Sequence, residues 1–598
     1  MSERSSEYRD SDVVKNEPLT SDIEGDKNVK FYKTKLFKLI IITTISIIII
    51  GLIVLLIILL TKKDNADDND NDDHDEDDDD HDDDDDENVE TMPIIAKYIV
   101  YNREDTIKLF DENSFNIVYS IELDGKKYEK LNLTNTIKFK KEGENTVILN
   151  IRNETESLEY LFKECRNLIN VNLTELNNLK IKTISGMFAN CHSLVSFDFN
   201  LNNTYIENMS YLFSDCINLE SINLDNLNTE NVIDMSGMFL NCPSLNNLDL
   251  SNLNVNNIKY MKSMFKGDQS LSNINFGDNF ITSEVIDMSE LFYDCYLLKY
   301  INLNSFETSN VINMNNMFHN CISLTSFDIA KFNTKNLINI SGMFSNCFKL
   351  TSINISYLDF SNIEDMSYLF STCTSLKYIN LENLKTSKVK NMEGMFYNCM
   401  SLASIDVSNL DTSQVTNMNS IFDLCTSLNY INLNNFNTGN VLDMSFMFAG
   451  AQNLISIDLN NFNTSKVINM NSMFFGCNSL SDVDFSNFDT KNVKTMVTMF
   501  SGCNSMTSLN ISNFDTINVE DMDYIFENCN NLKFLDISKF NNKNLKDNTC
   551  LFSQISENGT IYYNSNIFEQ ILIENSFQNW DIIDVGKKNM NFNFNKIG

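Results

Sequence analysis

Fourteen cysteines stand in this 598-residue chain, and thiols at fixed spacing can pair, ligate a metal or act as nucleophiles. Their spacing argues for a different role. Thirteen fall three residues after a recurring phenylalanine, among them Cys216, Cys242, Cys295, Cys321, Cys347, Cys373, Cys399 and Cys425. Only Cys550 lies off that register, and Asp268 and Ala451 occupy it where cysteine is missing. No C-x-x-C pair and no Cys/His grouping at zinc spacing occurs, so no metal site is expected. A position that accepts alanine on an apolar face asks for a small apolar group, which predicts a core ladder of buried thiols. Neighbouring rungs bring the thiols close, so disulfides remain an alternative. His192 and His319 stand in unrelated positions without a nucleophile pattern, so no catalytic residue and no cofactor are expected.

A second set of residues suits recognition. Fifteen positions at the repeat spacing, from Asn172 to Asp536, are all Asn or Asp. Two residues before each stands a Ser, Asn, Tyr or similar side chain, with tyrosine at Tyr300, Tyr378 and Tyr430. These tyrosines can stack on sugars or protein side chains, with Asp328 and Asp406 as acceptors beside them. The alternative is a polar ladder that solubilises the face, with amides bonding rung to rung. A third set is the run Asp64–Glu87, eighteen acidic residues without a basic one, about half of the formal net charge of −37. Clustered carboxylates there offer at most weak Ca²⁺ association, because no EF-hand spacing is present. No basic stripe exists to hold phosphates, which argues against nucleic acid as a partner.

The positioning elements come from a repeat. A phenylalanine, usually preceded by methionine, recurs from Phe162 to Phe552 at intervals of 26 residues, with one interval of 25 and one of 27. Such a period signals a stacked repeat array rather than a single globular core. In the unit Phe213–Phe239, Leu219, Ile222, Leu224 and Leu227 read as the strand half of a leucine-rich repeat, with Asn223 facing the other way. Met235, Met238, Phe239 and Cys242 follow the i, i+3, i+4, i+7 spacing of a two-turn helix, with Asp234 as its cap. The expected fold is therefore an α/β solenoid: a right-handed rod of about fifteen strand–short-helix rungs, roughly 70 Å long at ~4.8 Å per rung.

The string M-x-x-M-F-x-x-C-x-x-L-x-x-I-x-L-x-x-F-x-T-x-x-V resembles the repeat of BspA-like leucine-rich-repeat surface proteins. It stands in Met392 to Cys399, Leu402, Ile405, Val407, Leu410, Thr412 and Val415, and the likeness runs from about Leu161 to Phe552. The resemblance implies a cell-surface protein acting in adhesion or recognition, without an established catalytic activity.

Outside the repeats, residues 1–38 read as a disordered tail. Leu39–Leu60 is apolar apart from Thr43, Thr44 and Ser46, which is long enough to cross a bilayer once as a helix. Lys27, Lys30, Lys33, Lys35 and Lys38 precede it, so a cytoplasmic N-terminus and extracellular repeats at the plasma membrane are expected. Residues 61–90 read as an acidic spacer, 91–151 as a small β cap, 152–552 as the solenoid and 553–598 as a C-terminal cap in which Trp580 is core. In the cap, Asp124-Gly125 suits a tight hairpin turn. The leading functional expectation is adhesion or recognition of a protein or glycan through the exposed strand face. A membrane-bound scaffold facing the cytosol or a lumen, and a structural surface coat, are the alternatives.

Overall fold

The computed structural model describes residues 89–586, except 130–131, 204, 542, 547–550 and 565–578. The tail, the apolar span Leu39–Leu60 and the acidic run lie outside the described residues. Among the described residues no helix is long and apolar enough to cross a membrane.

The described residues open on a sheet of five strands in the spatial order Lys126–Glu129, Val118–Leu123, Gly143–Arg152, Thr91–Val100, Leu168–Asn172. Asp124 and Gly125 both have positive φ, the geometry of the two-residue hairpin turn between Leu123 and Lys126. Leu168–Asn172 is the first strand of the repeats, and it pairs antiparallel with Thr91–Val100. The first rung's edge is thereby covered by backbone hydrogen bonds rather than left open.

Most rungs then carry one short strand, such as Ser221–Asn223 or Ser352–Asn354, whose central residue faces the core. The second half of the rung is not a helix. Among the described residues only turns and short 3₁₀ pieces accompany the strands, so the expected strand–helix rung is corrected to a strand–turn rung of a β-solenoid. The reason lies in where the backbone N–H groups go. In the Phe239 rung, Met235, Gly237, Phe239 and Asn241 donate to carbonyls of the next rung at 2.7–3.0 Å. Met238 and Leu240 donate instead to the carbonyl three residues back. A helix would send every N–H to the carbonyl four residues back. The residues two before and two after the anchor, here Gly237 and Asn241, have positive φ. That left-handed conformation suits the third position of a type II turn and cannot continue a right-handed helix.

The apolar spacing nonetheless marked burial correctly, since Met235, Met238, Phe239 and Cys242 are fully buried. The anchor phenylalanines from Phe162 to Phe552 form a continuous stack with ring centroids 5.3–6.1 Å apart. Buried threonines tie rung to rung as well: Thr412 Oγ1 donates to the Asn437 carbonyl at 2.9 Å and accepts the Asn437 N–H at 2.7 Å. At the far end, Gly559–Tyr563 and Trp580–Asp584 continue the parallel sheet, and buried Trp580 donates its indole N–H to the Ser556 carbonyl at 2.9 Å.

Candidate functional site

The strand face carries the candidate recognition residues. Tyr378 pairs with Ser352 and Tyr430 with Ser404, each on parallel strands, so both tyrosines leave the sheet on the same side. They sit two rungs apart, about 10 Å at the usual strand spacing. Tyr300 lies three rungs before Tyr378. The three are 64%, 61% and 59% exposed, a large aromatic surface for a protein to leave in water.

The Asn/Asp column beside them has a chain-internal task. All of its members except Asp198 accept the backbone N–H two residues on through Oδ1, an Asx turn that bends the chain out of the strand. Asp328 Oδ1 takes the Ala330 N–H at 3.0 Å. Asp406 Oδ1 takes both the Ser408 N–H at 2.9 Å and its hydroxyl at 2.6 Å. Burial pushes the Asp406 carboxyl up, but the Ser408 bonds and the Asn432 amide outweigh it and hold the group below its ordinary value. A ligand on this face meets the tyrosines freely but only the remaining oxygen of each aspartate.

The structure adds a feature that the residue types did not point to. A cleft of about 770 Å³ opens on the strand face, lined by Asn247, Asp249, Asn275, Asp278, Asn302 and Asn304, with Ile222 and Ile274 in its floor. It spans the 27-residue interval Phe265–Phe292, beyond which the next paired strand is Ser352–Asn354; pairing breaks at 26-residue intervals as well. Tyr300 belongs to the rung of Phe292, which ends that interval. The extra residue in the Phe265–Phe292 interval was the available signal, because an insertion in a stacked repeat must displace one rung from its neighbour.

The cysteine ladder is core. Cys216, Cys242, Cys295, Cys321, Cys347, Cys373, Cys399 and Cys425 are buried and unpaired. Each thiol donates to the carbonyl of an anchor phenylalanine in the rung before, as Cys216 does to Phe188 at 3.1 Å and Cys399 to Phe370 at 3.2 Å. The same Phe188 carbonyl accepts the Cys191 N–H at 3.2 Å, so both of its lone pairs are used. Burial pushes the thiols up, to about 12 for Cys216 and Cys425. Asp268 breaks the ladder. It is fully buried, its Oδ1 accepts the Cys242 N–H at 2.8 Å, and Oδ2 has no partner. Burial pushes its carboxyl well up.

His319 stacks on Tyr293 at 4.5 Å, and Lys266 lies 4.4 Å over the same ring. Burial lowers the imidazole. His192 lies in the Phe188 rung, five rungs before the Phe318 rung that carries His319, so the two histidines share no site. Among the described residues no group of three His, Cys, Asp or Glu side chains could hold a metal ion.

A protein-family model described as "Mycoplasma protein of unknown function, DUF285" matches residues 156–276, 269–379, 364–481 and 453–565. These matches cover the repeats almost end to end, and the chain belongs to that family, as a leucine-rich-repeat-like repeat protein. No curated protein matches it. Solved structures similar to it include a leucine-rich-repeat protein of Leptospira interrogans, 11% identical, covering 69% of this chain and 98% of that one with a TM-score of 0.20. A TLR13–ssRNA13 complex is 18% identical over 64% of this chain and 65% of that one, with a TM-score of 0.16. The functional domain of InlJ from Listeria monocytogenes, which includes a cysteine ladder, is 14% identical over 69% and 76%, with a TM-score of 0.14.

Proposed function

We propose that this chain is a membrane-anchored recognition protein that holds a protein or glycan ligand against its exposed strand face. The observation that carries the reading is the set of Tyr300, Tyr378 and Tyr430, exposed on one face of a scaffold whose own polar column is occupied in turns. Leu39–Leu60 anchors the chain by a single span, with the N-terminus cytoplasmic and the repeats extracellular. The acidic run Asp64–Glu87 sets the repeats off from the bilayer and holds Ca²⁺ weakly at most. The role is adhesion or recognition, as in the BspA-like surface proteins that the repeat resembles. The chain catalyses nothing in this reading, needs no cofactor, and does not take nucleic acid.

Protease shaving of intact cells, with a tag at each end, tests the topology: loss of the C-terminal tag alone is expected. Survival of both tags until permeabilisation would place the repeats inside and favour a scaffold. The site is tested by replacing Tyr300, Tyr378 and Tyr430 with Ala in the full chain. Exposed aromatic anchors are worth about 1–2 kcal/mol each, so adhesion to immobilised glycans or neighbouring cells drops at least about tenfold while the thermal transition stays put. Unchanged adhesion by the folded triple variant removes the strand face from consideration.

A further inference from the structure

Six residues before each anchor phenylalanine runs a column whose backbone is joined rung to rung without a break. Each N–H donates to the carbonyl one rung earlier at 2.7–3.0 Å, from Lys182 on Glu156 through to Lys546 on Glu520. Such a ladder presents its side chains at an even, rigid spacing of about 4.8 Å. Charges along it pair within the chain: Lys182 with Glu156 at 2.6 Å, Lys390 with Glu364 at 2.7 Å, and Lys546 with Glu520 at 2.6 Å. Between the charged groups the column turns apolar. Ile312 and Ile338 are each 45% exposed, and Ile286 before them is half-buried. The order along the ladder is Lys259, Ile286, Ile312, Ile338, Glu364, so a cation closes one end of the apolar stripe and a carboxylate the other. Lys259 makes no ion pair among the described residues.

We propose that this stripe is where a second copy of the same chain docks, antiparallel, about a twofold axis through Ile312. The five residues from Lys259 to Glu364 are self-complementary in that arrangement. Ile312 meets Ile312, Ile286 meets Ile338, and Lys259 of each copy meets Glu364 of the other. A parallel copy in register sets Lys259 on Lys259 and Glu364 on Glu364. An antiparallel copy slid by three rungs sets Ile338 on Glu364 and Ile312 on Lys390, which strips water from charges against apolar groups. The even rung spacing is shared by the two copies, so side chains matched at the axis stay matched outward as far as Lys259 and Glu364. Because the ladder is already ordered, docking costs little further entropy. The stripe is narrow beside a standard interface, so the dimer forms reversibly and grows with concentration.

Cysteine cross-linking on the full chain tests the axis, because the ladder thiols are buried and do not compete. Under mild copper–phenanthroline oxidation, Ile312→Cys is expected to give a covalent homodimer in high yield. Ile233→Cys, on the same column but facing Lys390 across the proposed axis, gives little beyond the unsubstituted chain. Adding Lys259→Glu to Ile312→Cys lowers the yield severalfold, and adding Glu364→Lys as well restores most of it, a rescue that a folding defect would not show. Equal cross-linking at Ile233 and Ile312, or strongest cross-linking at Ile338→Cys, overturns the axis. No covalent dimer with any variant, alongside weakened adhesion for Ile312→Glu, gives the stripe to a different partner and overturns the proposal.

Discussion

At the scale of single residues, the side chains that looked most reactive are the most shielded. A thiol whose proton is held by a phenylalanine carbonyl, and whose thiolate is disfavoured by burial, is a poor nucleophile. The ladder thiols are expected to stay unmodified by a thiol-specific reagent in the native chain and to react together on unfolding; stoichiometric labelling without denaturant would contradict this. Spacing made the ladder legible in the sequence, whereas its hydrogen bonds were not, since they depend on a neighbouring rung's carbonyl. Two buried carboxyls go the other way. Burial raises Asp423 from 3.8 to about 7 and pushes Asp268 well up. A carboxyl raised in the folded state binds its proton more tightly there than in the unfolded chain. It therefore supports the fold below pH ~4 and loses that support as pH rises towards 7, by at most roughly 4 kcal/mol for Asp423. Asp423→Asn should flatten the decline in denaturation midpoint between pH 4 and 7. Asp268→Cys should raise stability at pH 7 outright, because it restores the thiol column and removes an unpartnered buried oxygen. A lower midpoint at pH 7 for that variant would mean that Asp268 is stabilising where it stands.

At the scale of the element, half of each rung was readable and half was misread. The strand half follows a period of two, and no other element produces that alternation with Ile222 and Leu224 inward and Asn223 outward. The turn half produces i, i+3, i+4, i+7 burial by a succession of four-residue turns, each closed by an N–H to the carbonyl three residues back, so apolar spacing alone cannot separate it from a helix. The discriminating signal sits two residues after the anchor. That position is Asn, Asp or Gly except at Glu164, Thr372, Leu424 and Gln554, and it adopts positive φ throughout the described rungs. Asn and Gly tolerate that conformation; a β-carbon without a compensating polar group does not. Gly476 measures the cost cleanly, since a Cβ there would meet nothing closer than 3.8 Å. Gly476→Ala should lower stability by about 1–2 kcal/mol through conformation alone, and Gly476→Asn by clearly less. Equal losses would point to packing rather than φ. The Asx column was visible as a run of Asn and Asp, but its task was not: Asp406→Ala gives up two hydrogen bonds and should cost about 1–2 kcal/mol. For that reason tyrosines, not aspartates, are the right residues with which to test binding.

At the scale of the whole repeat array, stability is a sum over rungs and over the contacts between adjacent rungs. The phenylalanine stack runs through every such contact. Phe370 lies between Phe344 at 5.7 Å and Phe396 at 6.0 Å, and all three are buried. Removing one ring therefore weakens two contacts, whereas removing Phe162 weakens one contact with a neighbouring anchor, Phe188. Truncation of a buried phenylalanine typically costs about 3–5 kcal/mol. In a single globular core that loss lowers one cooperative transition. In a nearest-neighbour array it can exceed the coupling that holds the two halves to a common transition, because no contact reaches past the damaged rung except the ladders through that rung itself. Phe370→Ala should thus split chemical unfolding into two steps, with native-state hydrogen exchange fastest in the rungs on either side of residue 370. Phe162→Ala should instead lower the midpoint without splitting it, since the cap sheet paired to the first strand holds that end. A single sharp transition for Phe370→Ala, shifted as far as for Phe162→Ala, would show that the unbroken backbone ladders alone couple the array, with the aromatic stack adding stability but not cooperativity.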